Sequence, residues 1–203
     1  KVADLLNSKI MDVDLGDYPI GYRGVRNRNP KLKWETEILT VDLEGSNRIS
    51  DRVMSDSPNE YDAIIHLGLA RNATIPRIET RALNLNKFSS PDNQGRIEKG
   101  EIIEGGPNEI FVTGSIDSIR RENLTIPFEF SNDAGGFVCN ETLFKTLHAI
   151  SFQDMAIPCL FIHLPSEELI PIAEQLDFVT RISAIVVQPR HVDVVGAMFE
   201  VDG

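Results

Sequence analysis

Apolar residues gather along this chain in short, nearly continuous runs. Tyr61 to Leu69 (YDAIIHLGL), Ile126 to Phe130 (IPFEF) and Ile157 to Leu164 (IPCLFIHL) are largely apolar. Runs of this length are expected of strands buried on both faces of a parallel sheet. Ile110 to Thr113 (IFVT) is a further short strand candidate, and Glu35 to Leu43 (ETEILTVDL) alternates like a strand with one wet face. Val192 to Val201 (VDVVGAMFEV) reads as a final strand. Helical spacing falls between the runs. Lys1 to Leu6 reads as the tail of a helix, and Ser46 to Ser55, Ser115 to Glu122, Glu141 to Ile150 and Ser166 to Val187 as further helical segments. Ser115 suits an N-cap, and Pro171 is tolerated in a first turn. Strands alternating with helices predict a three-layer α/β/α sandwich around a mostly parallel sheet, in one domain over residues 1–203. Residues 12–33 are rich in Gly, Asn, Arg and Asp, with Pro19 and Pro30 as breakers, and predict an exposed loop or insertion. Its Arg23, Arg26 and Arg28 read as a solvated basic face.

Composition narrows the classes of function. The chain has 203 residues, 41% of them hydrophobic and 25% charged, which suits one globular domain with a large core. Its formal net charge of -11 argues against nucleic acid as a partner, because phosphate binding needs clustered Lys and Arg. No apolar run approaches the roughly 18 residues of a membrane span. The start of the sequence, KVADLLNSKI, lacks the apolar core and cleavage site of an export signal, so a cytoplasmic location is expected. The two cysteines, Cys139 and Cys159, could pair, although thiols stay reduced in that compartment. The oligomeric state stays open, a homo-oligomer included.

Candidate chemistry centres on Ser131 to Asn140 (SNDAGGFVCN), which lies between a β-prone run and a helical one. Gly135 and Gly136 allow a turn that a Cβ would obstruct. The following helix start points unpaired N–H groups and a partial positive charge at the Cys139 sulfur. Such surroundings favour the thiolate, whereas a lone cysteine equally reads as a buried structural residue. Active sites of open α/β sheets lie at strand carboxyl ends. His163 ends the run Cys159 to Leu164 just before Pro165, and Glu79 follows the strand that ends at Leu69. Thiol, imidazole and carboxylate are the parts of a nucleophile, a base and the group that orients it. Singly, His163 also reads as a packed strand histidine and Glu79 as a surface charge. His66 ends a buried strand equally well.

These residues carry a resemblance. SNDAGGFVCN, preceded by its apolar strand, resembles the cysteine signature of pyroglutamyl-peptidase I. FIHLP (Phe161 to Pro165) resembles that family's histidine motif, and HLGLARNATIPRIETRALNLN (His66 to Asn86) resembles its glutamate signature. Gly68 to Glu79 keeps the family spacing, while Glu79, Ala82 and Asn84 match its E-x-x-A-x-N pattern. PDNQG (Pro91 to Gly95) is similar to the family's turn. The resemblance covers most of Glu35 to Val187. Several positions depart from it. Arg71 stands where a small residue is usual, and Pro76 and Arg77 replace an aliphatic and a hydroxyl residue. Thr80 and Arg81 replace a basic and an aliphatic residue, and Ser89 occupies the place of an arginine associated with the oxyanion. The family's opening strand and loop are missing from the front. Val192 to Gly203 is similar to them, with Phe199 where the first phenylalanine falls, so the order is either permuted or shortened at the front.

The resemblance implies a phosphorylase/hydrolase-like fold and a cysteine peptidase that removes N-terminal pyroglutamate from peptides through a thioester. It implies Cys139 as nucleophile, His163 as acid and base, and Glu79 as the group orienting His163. Phe137, Val138, the Leu69 main chain and Phe199 would form the lactam pocket. No metal or cofactor is implied. Two other readings stand beside it: a relative that binds blocked peptide N-termini without turnover, and another hydrolase or phosphorylase on a similar sheet.

Overall fold

A computed structural model of the chain describes residues 1–17, 27–55 and 61–187. Its sheet is built on one strand whose six residues are all buried. The strands and helices in chain order are α1 (Val2–Leu6), β1 (Ile10–Asp12), β2 (Lys31–Lys33), α2 (Leu43–Met54), β3 (Ile64–Leu69) and β4 (Arg77–Glu79). Then come β5 (Arg81–Leu83), β6 (Asn86–Lys87), β7 (Lys99–Gly100), β8 (Glu109–Phe111), α3 (Ile116–Arg120), β9 (Glu129–Ser131), α4 (Val138–Phe152), β10 (Cys159–Leu164) and α5 (Ile172–Val186). The central sheet has the order β3-β10-β4-β9. β10 pairs parallel to β3 and antiparallel to β4, and β4 pairs parallel to β9.

The buried strand is β10, and its alternation explains the layers. Leu160, Ile162 and Leu164 join one core cluster with Leu6 of α1, Ile119 of α3, and Phe178, Val179, Ile182 and Ile185 of α5. Cys159 and Phe161 join the other, with Leu143, Phe144, Leu147 and Ile150 of α4 and Val53 of α2. A strand that buries alternate residues against helices on two sides needs an apolar run, not an alternating one. Helices therefore cover both faces of a mixed, mostly parallel sheet, the α/β/α arrangement the sequence predicts. Among the described residues no helix is long and apolar enough to cross a membrane.

Five expectations change. Glu35 to Leu43 is not a strand. Its alternation serves α2 instead, because Glu37 pairs with Arg48 at 2.6 Å, Glu35 pairs with Arg52, and Asp42 caps the helix by accepting from the Gly45 N–H. Residues 12–33 are not all loop. β1 and β2 pair, and Val13, Leu15 and Leu32 are buried in the core cluster. Arg28 is no solvated charge: its guanidinium donates to both carboxylate oxygens of buried Glu122, at 2.7 and 2.9 Å. β3 is half-buried, because it is the end strand among the described residues. α5 begins at Ile172, later than Ser166, with Pro171 at its cap. Arg23, Arg26, Phe199 and the strand expected over Val192 to Val201 lie outside the described residues.

Candidate active site

β10 and β4 together place an imidazole against a carboxylate. Their antiparallel register sets Phe161 opposite Glu79 and His163 opposite Arg77. Directly opposed residues point to the same face, so Glu79 and His163 lie diagonally on one surface. His163 Nδ1 and Glu79 Oε1 are 2.7 Å apart, and Glu79 is fully buried. On the other side of β10, Gly68 of β3 is the partner of His163. A Cβ at Gly68 would lie 2.8 Å from the Phe161 ring and 3.1 Å from His163 Cδ2. Only glycine leaves His163 its place.

Cys139 arrives by a different route from the one its sequence neighbours indicate. β9 runs with β4, opposite to β10, so Cys139 does not sit at the carboxyl end of its preceding strand in the sense of β3 and β10. Residues 132–137 join β9 to α4. Gly135 takes a φ of +85°, a left-handed conformation that disfavours a side chain. Gly136 approaches Lys87 so closely that a Cβ would lie 2.8 Å from the Lys87 Cβ. Cys139 is then the second residue of α4, and the first backbone bond of the helix runs from Glu141 N–H to the Phe137 carbonyl. The N–H groups of Val138, Cys139 and Asn140 belong to the open first turn, whose partial positive charge suits an anion.

Two buried groups pin this turn. Asn140 is fully buried, accepts from the Leu83 N–H at 2.9 Å, and donates to the Leu83 and Leu85 carbonyls. Glu141 accepts from both terminal nitrogens of Arg96, at 3.0 and 2.7 Å, and from Lys145 at 2.8 Å. Arg96 is held in turn by Asp92 of the PDNQG turn, at 2.8 Å. Burial works against the Glu141 charge, but Arg96 and Lys145 keep its carboxyl below the usual range. An acidic side chain in a first turn also suits the helix dipole. Because Arg96 is spent on Glu141, it does not stand in for the arginine missing at exposed Ser89.

The electrostatics separate the histidines and the cysteines. Burial opposes a charge on His163, but the neighbouring Cys139 and Glu79 side chains raise its pKa to about 9. Both neighbours therefore favour the protonated form of His163. His66, one strand away, is fully enclosed and its pKa falls to about 4. It bonds to Thr146 Oγ1 at 3.1 Å and has no part in the constellation. Cys159 is free and buried at the other end of β10, with its thiol pKa pushed far up by burial. Cys139 is free and partly accessible. Among the described residues no cluster of three His, Cys, Asp or Glu could hold a metal ion.

Comparison with known proteins gives the family. The family model for pyroglutamyl peptidase matches residues 35–187. The chain belongs to the pyroglutamyl peptidase family. A pyrrolidone-carboxylate peptidase of Thermococcus onnurineus is 32% identical over 150 residues, 72% of this chain and 64% of the relative. One of Oceanobacillus iheyensis is 34% identical over 151 residues, 70% of this chain and 73% of the relative. The chain thus spans less than two thirds of the length of the first. A mutant pyrrolidone carboxyl peptidase from Pyrococcus furiosus shares the fold with a TM-score of 0.71 at 23% identity, over 92% of this chain and 88% of that one. The Thermus thermophilus structure gives 0.65 at 24% identity over the same shares.

The remaining predicted residues fall differently. Phe137 caps α4 and leans on Phe88 with ring centroids 4.6 Å apart. Val138 is 5% exposed, so it can offer a ligand its main chain more than its side chain. Leu69 ends β3 with its side chain 55% exposed. Sequence reasoning missed why Gly68, Asn140 and the Asp92–Arg96–Glu141 chain stand where they do. The signals were present in the Gly68-to-Glu79 spacing, in the Cys-Asn pair and in the PDN turn.

Proposed function

We propose that this chain is a cysteine peptidase that removes N-terminal pyroglutamate from peptides. The observation that carries the reading is the 2.7 Å pair of buried Glu79 and His163, with Cys139 of the α4 start close enough to favour the His163 proton. The departures around Glu79, among them Pro76, Arg77, Thr80 and Arg81, leave that pair intact. Family membership and the names of the relatives supply the substrate class.

In this proposal the thiol proton passes to His163, whose raised pKa favours the imidazolium. The Cys139 sulfur attacks the pyroglutamyl carbonyl carbon, and the N–H groups of the α4 first turn receive the oxyanion. His163 returns the proton to the leaving amine as the C–N bond breaks, which leaves a thioester and frees the shortened peptide. Water, deprotonated by His163, then releases pyroglutamate and restores the thiol. Glu79 fixes the tautomer and stabilises the imidazolium. The Phe137 ring and the main chain at Val138 and Leu69 enclose the lactam, and Phe199 is assigned to its cover by resemblance alone. A free amino group in place of the lactam would leave buried polar groups unpaired and be rejected. The chemistry needs no metal or cofactor, and a reducing cytosol suits its thiol.

The test is release of a fluorophore from a pyroglutamyl amide. The parent protein is expected to turn it over, and Cys139→Ser to lose at least about a thousandfold in kcat/KM. Unchanged turnover in Cys139→Ser overturns the mechanism.

A further inference from the structure

The strand register puts one charged neighbour beside His163, and no catalytic role accounts for it. Arg77 is the direct cross-strand partner of His163, and Gly68 on the other side has no side chain. Opposed residues of an antiparallel pair share a face, with Cα atoms roughly 5 Å apart. Arg77 therefore stands on the surface that carries His163 and Glu79, next to the group that protonates the leaving amine. Its Nε donates to Glu129 Oε1 at 2.6 Å, and no bond to its two terminal nitrogens is found among the described residues. The Arg77 and Glu129 side chains are 40% and 48% exposed, so the pair orients the guanidinium without burying it. Both line an open cleft of about 510 Å³ together with Ser131, Asn132 and Asp133. A guanidinium anchored through Nε at the wall of a cleft, with no bond found to its terminal nitrogens among the described residues, is a fork for a carboxylate.

We infer that Arg77 is a specificity residue that receives a carboxylate on the departing side of the peptide. This rests on the pyroglutamyl-peptidase reading. It deepens that reading, since Arg77 stands where the family resemblance places a hydroxyl residue. Two carboxylates are within the chemistry: the terminal carboxylate of a short peptide, and the side chain of an acidic residue after pyroglutamate. Glu129 repels either one, which keeps the preference modest.

Calorimetric titration of the Cys139→Ser protein reads the subsite without turnover. Two peptide pairs are compared: pyroglutamyl-alanine with its amide, and pyroglutamyl-glutamate amide with pyroglutamyl-glutamine amide. The acidic member of at least one pair is expected to bind about fivefold tighter, the size of an interaction at a half-exposed charge. The pair that responds names the carboxylate. Adding Arg77→Gln brings the ratio to about one, and adding Glu129→Gln raises it. Kinetics of the parent protein on the same peptides separate the two readings. Turnover with no discrimination in either pair overturns the subsite and leaves the peptidase. Discrimination in binding without turnover overturns the peptidase and leaves the subsite. A ratio that survives Arg77→Gln, or no binding at all, overturns the subsite.

Discussion

His66 and His163 sit on neighbouring strands, on the same face of the sheet, against the same phenylalanine. Phe161 stacks on His66 with centroids 5.9 Å apart and meets His163 at a tilt of 42°, with centroids 4.6 Å apart. Both imidazoles are more than nine-tenths or about nine-tenths buried, at 6% and 9% exposure. Yet the pKa of one falls to about 4 and that of the other rises to about 9. Burial pushes both down, so the environment's dryness decides nothing between them. The partners decide. A threonine hydroxyl gives His66 a bond that costs no charge, whereas Glu79 and Cys139 give His163 two groups that reward a proton. Two similarly buried histidines take opposite pKa shifts through one carboxylate and one thiol.

Removing the carboxylate charge breaks the comparison most severely. Glu79→Gln keeps shape and one acceptor but deprives the imidazolium of its counter-charge. We expect kcat/KM to fall by about 10³ or more, in the manner of other orienting carboxylates. The alkaline limb of the pH–rate profile, set near pH 9 by His163 in the parent, should move to lower pH, because Glu79 no longer supports the proton. A limb that stays near pH 9 in Glu79→Gln would assign it to another group. Gly68→Ala is the next largest. Its methyl would meet Phe161 at 2.8 Å and His163 at 3.1 Å, and displacement of His163 by a few tenths of an ångström should lower kcat/KM by about ten- to a hundredfold. Thermal unfolding should show a loss of about 1–3 kcal/mol from the same overpacking. Wild-type kinetics in Gly68→Ala would mean that His163 is not held from the β3 side.

The core of this site was legible in the sequence for physical reasons, and so were its blind spots. Cys159 to Leu164 had to be a doubly covered strand because all six residues needed burial, and its end had to carry His163 because Pro165 follows. The helix start at Cys139 was legible from Gly135 and Gly136. What the sequence hid is direction: nothing local tells that β4 and β9 run against β10, and that reversal is what brings Glu79 and Arg77 beside His163. Alternation misled at Glu35 to Leu43, where Glu35 and Glu37 repeat every second residue to meet Arg48 and Arg52 on a helix, with no neighbouring strand to pair with. Long-range polar anchors such as Asn140 to Leu83, or Arg28 to Glu122, span separations that a periodicity cannot report.

The smallest of these effects concerns stability and falls on the other histidine. His66 has a folded pKa of about 4, below the ordinary value of 6.5, so the folded state binds fewer protons than the unfolded one between those values. Its contribution is complete above pH 6.5 and is lost as pH falls towards 4. For a drop to pH 5 that is on the order of 2 kcal/mol. His163 has the opposite sign. Its folded pKa of about 9 makes it stabilising below pH 6.5, and that contribution is lost as pH rises through 9. The two imidazoles therefore pull stability down on opposite sides of pH 6.5. Denaturant unfolding of His66→Gln isolates one side. Glutamine can keep a bond to Thr146, so the variant should fold, with a lower plateau from lost contact with Phe161. The fall in stability between pH 6.5 and 5 should shrink by about 2 kcal/mol, while the fall towards pH 9 stays as in the parent. An acid slope equal to the parent's would show that His66 takes up its proton as readily in the fold as in the unfolded chain, and that burial does not keep it neutral.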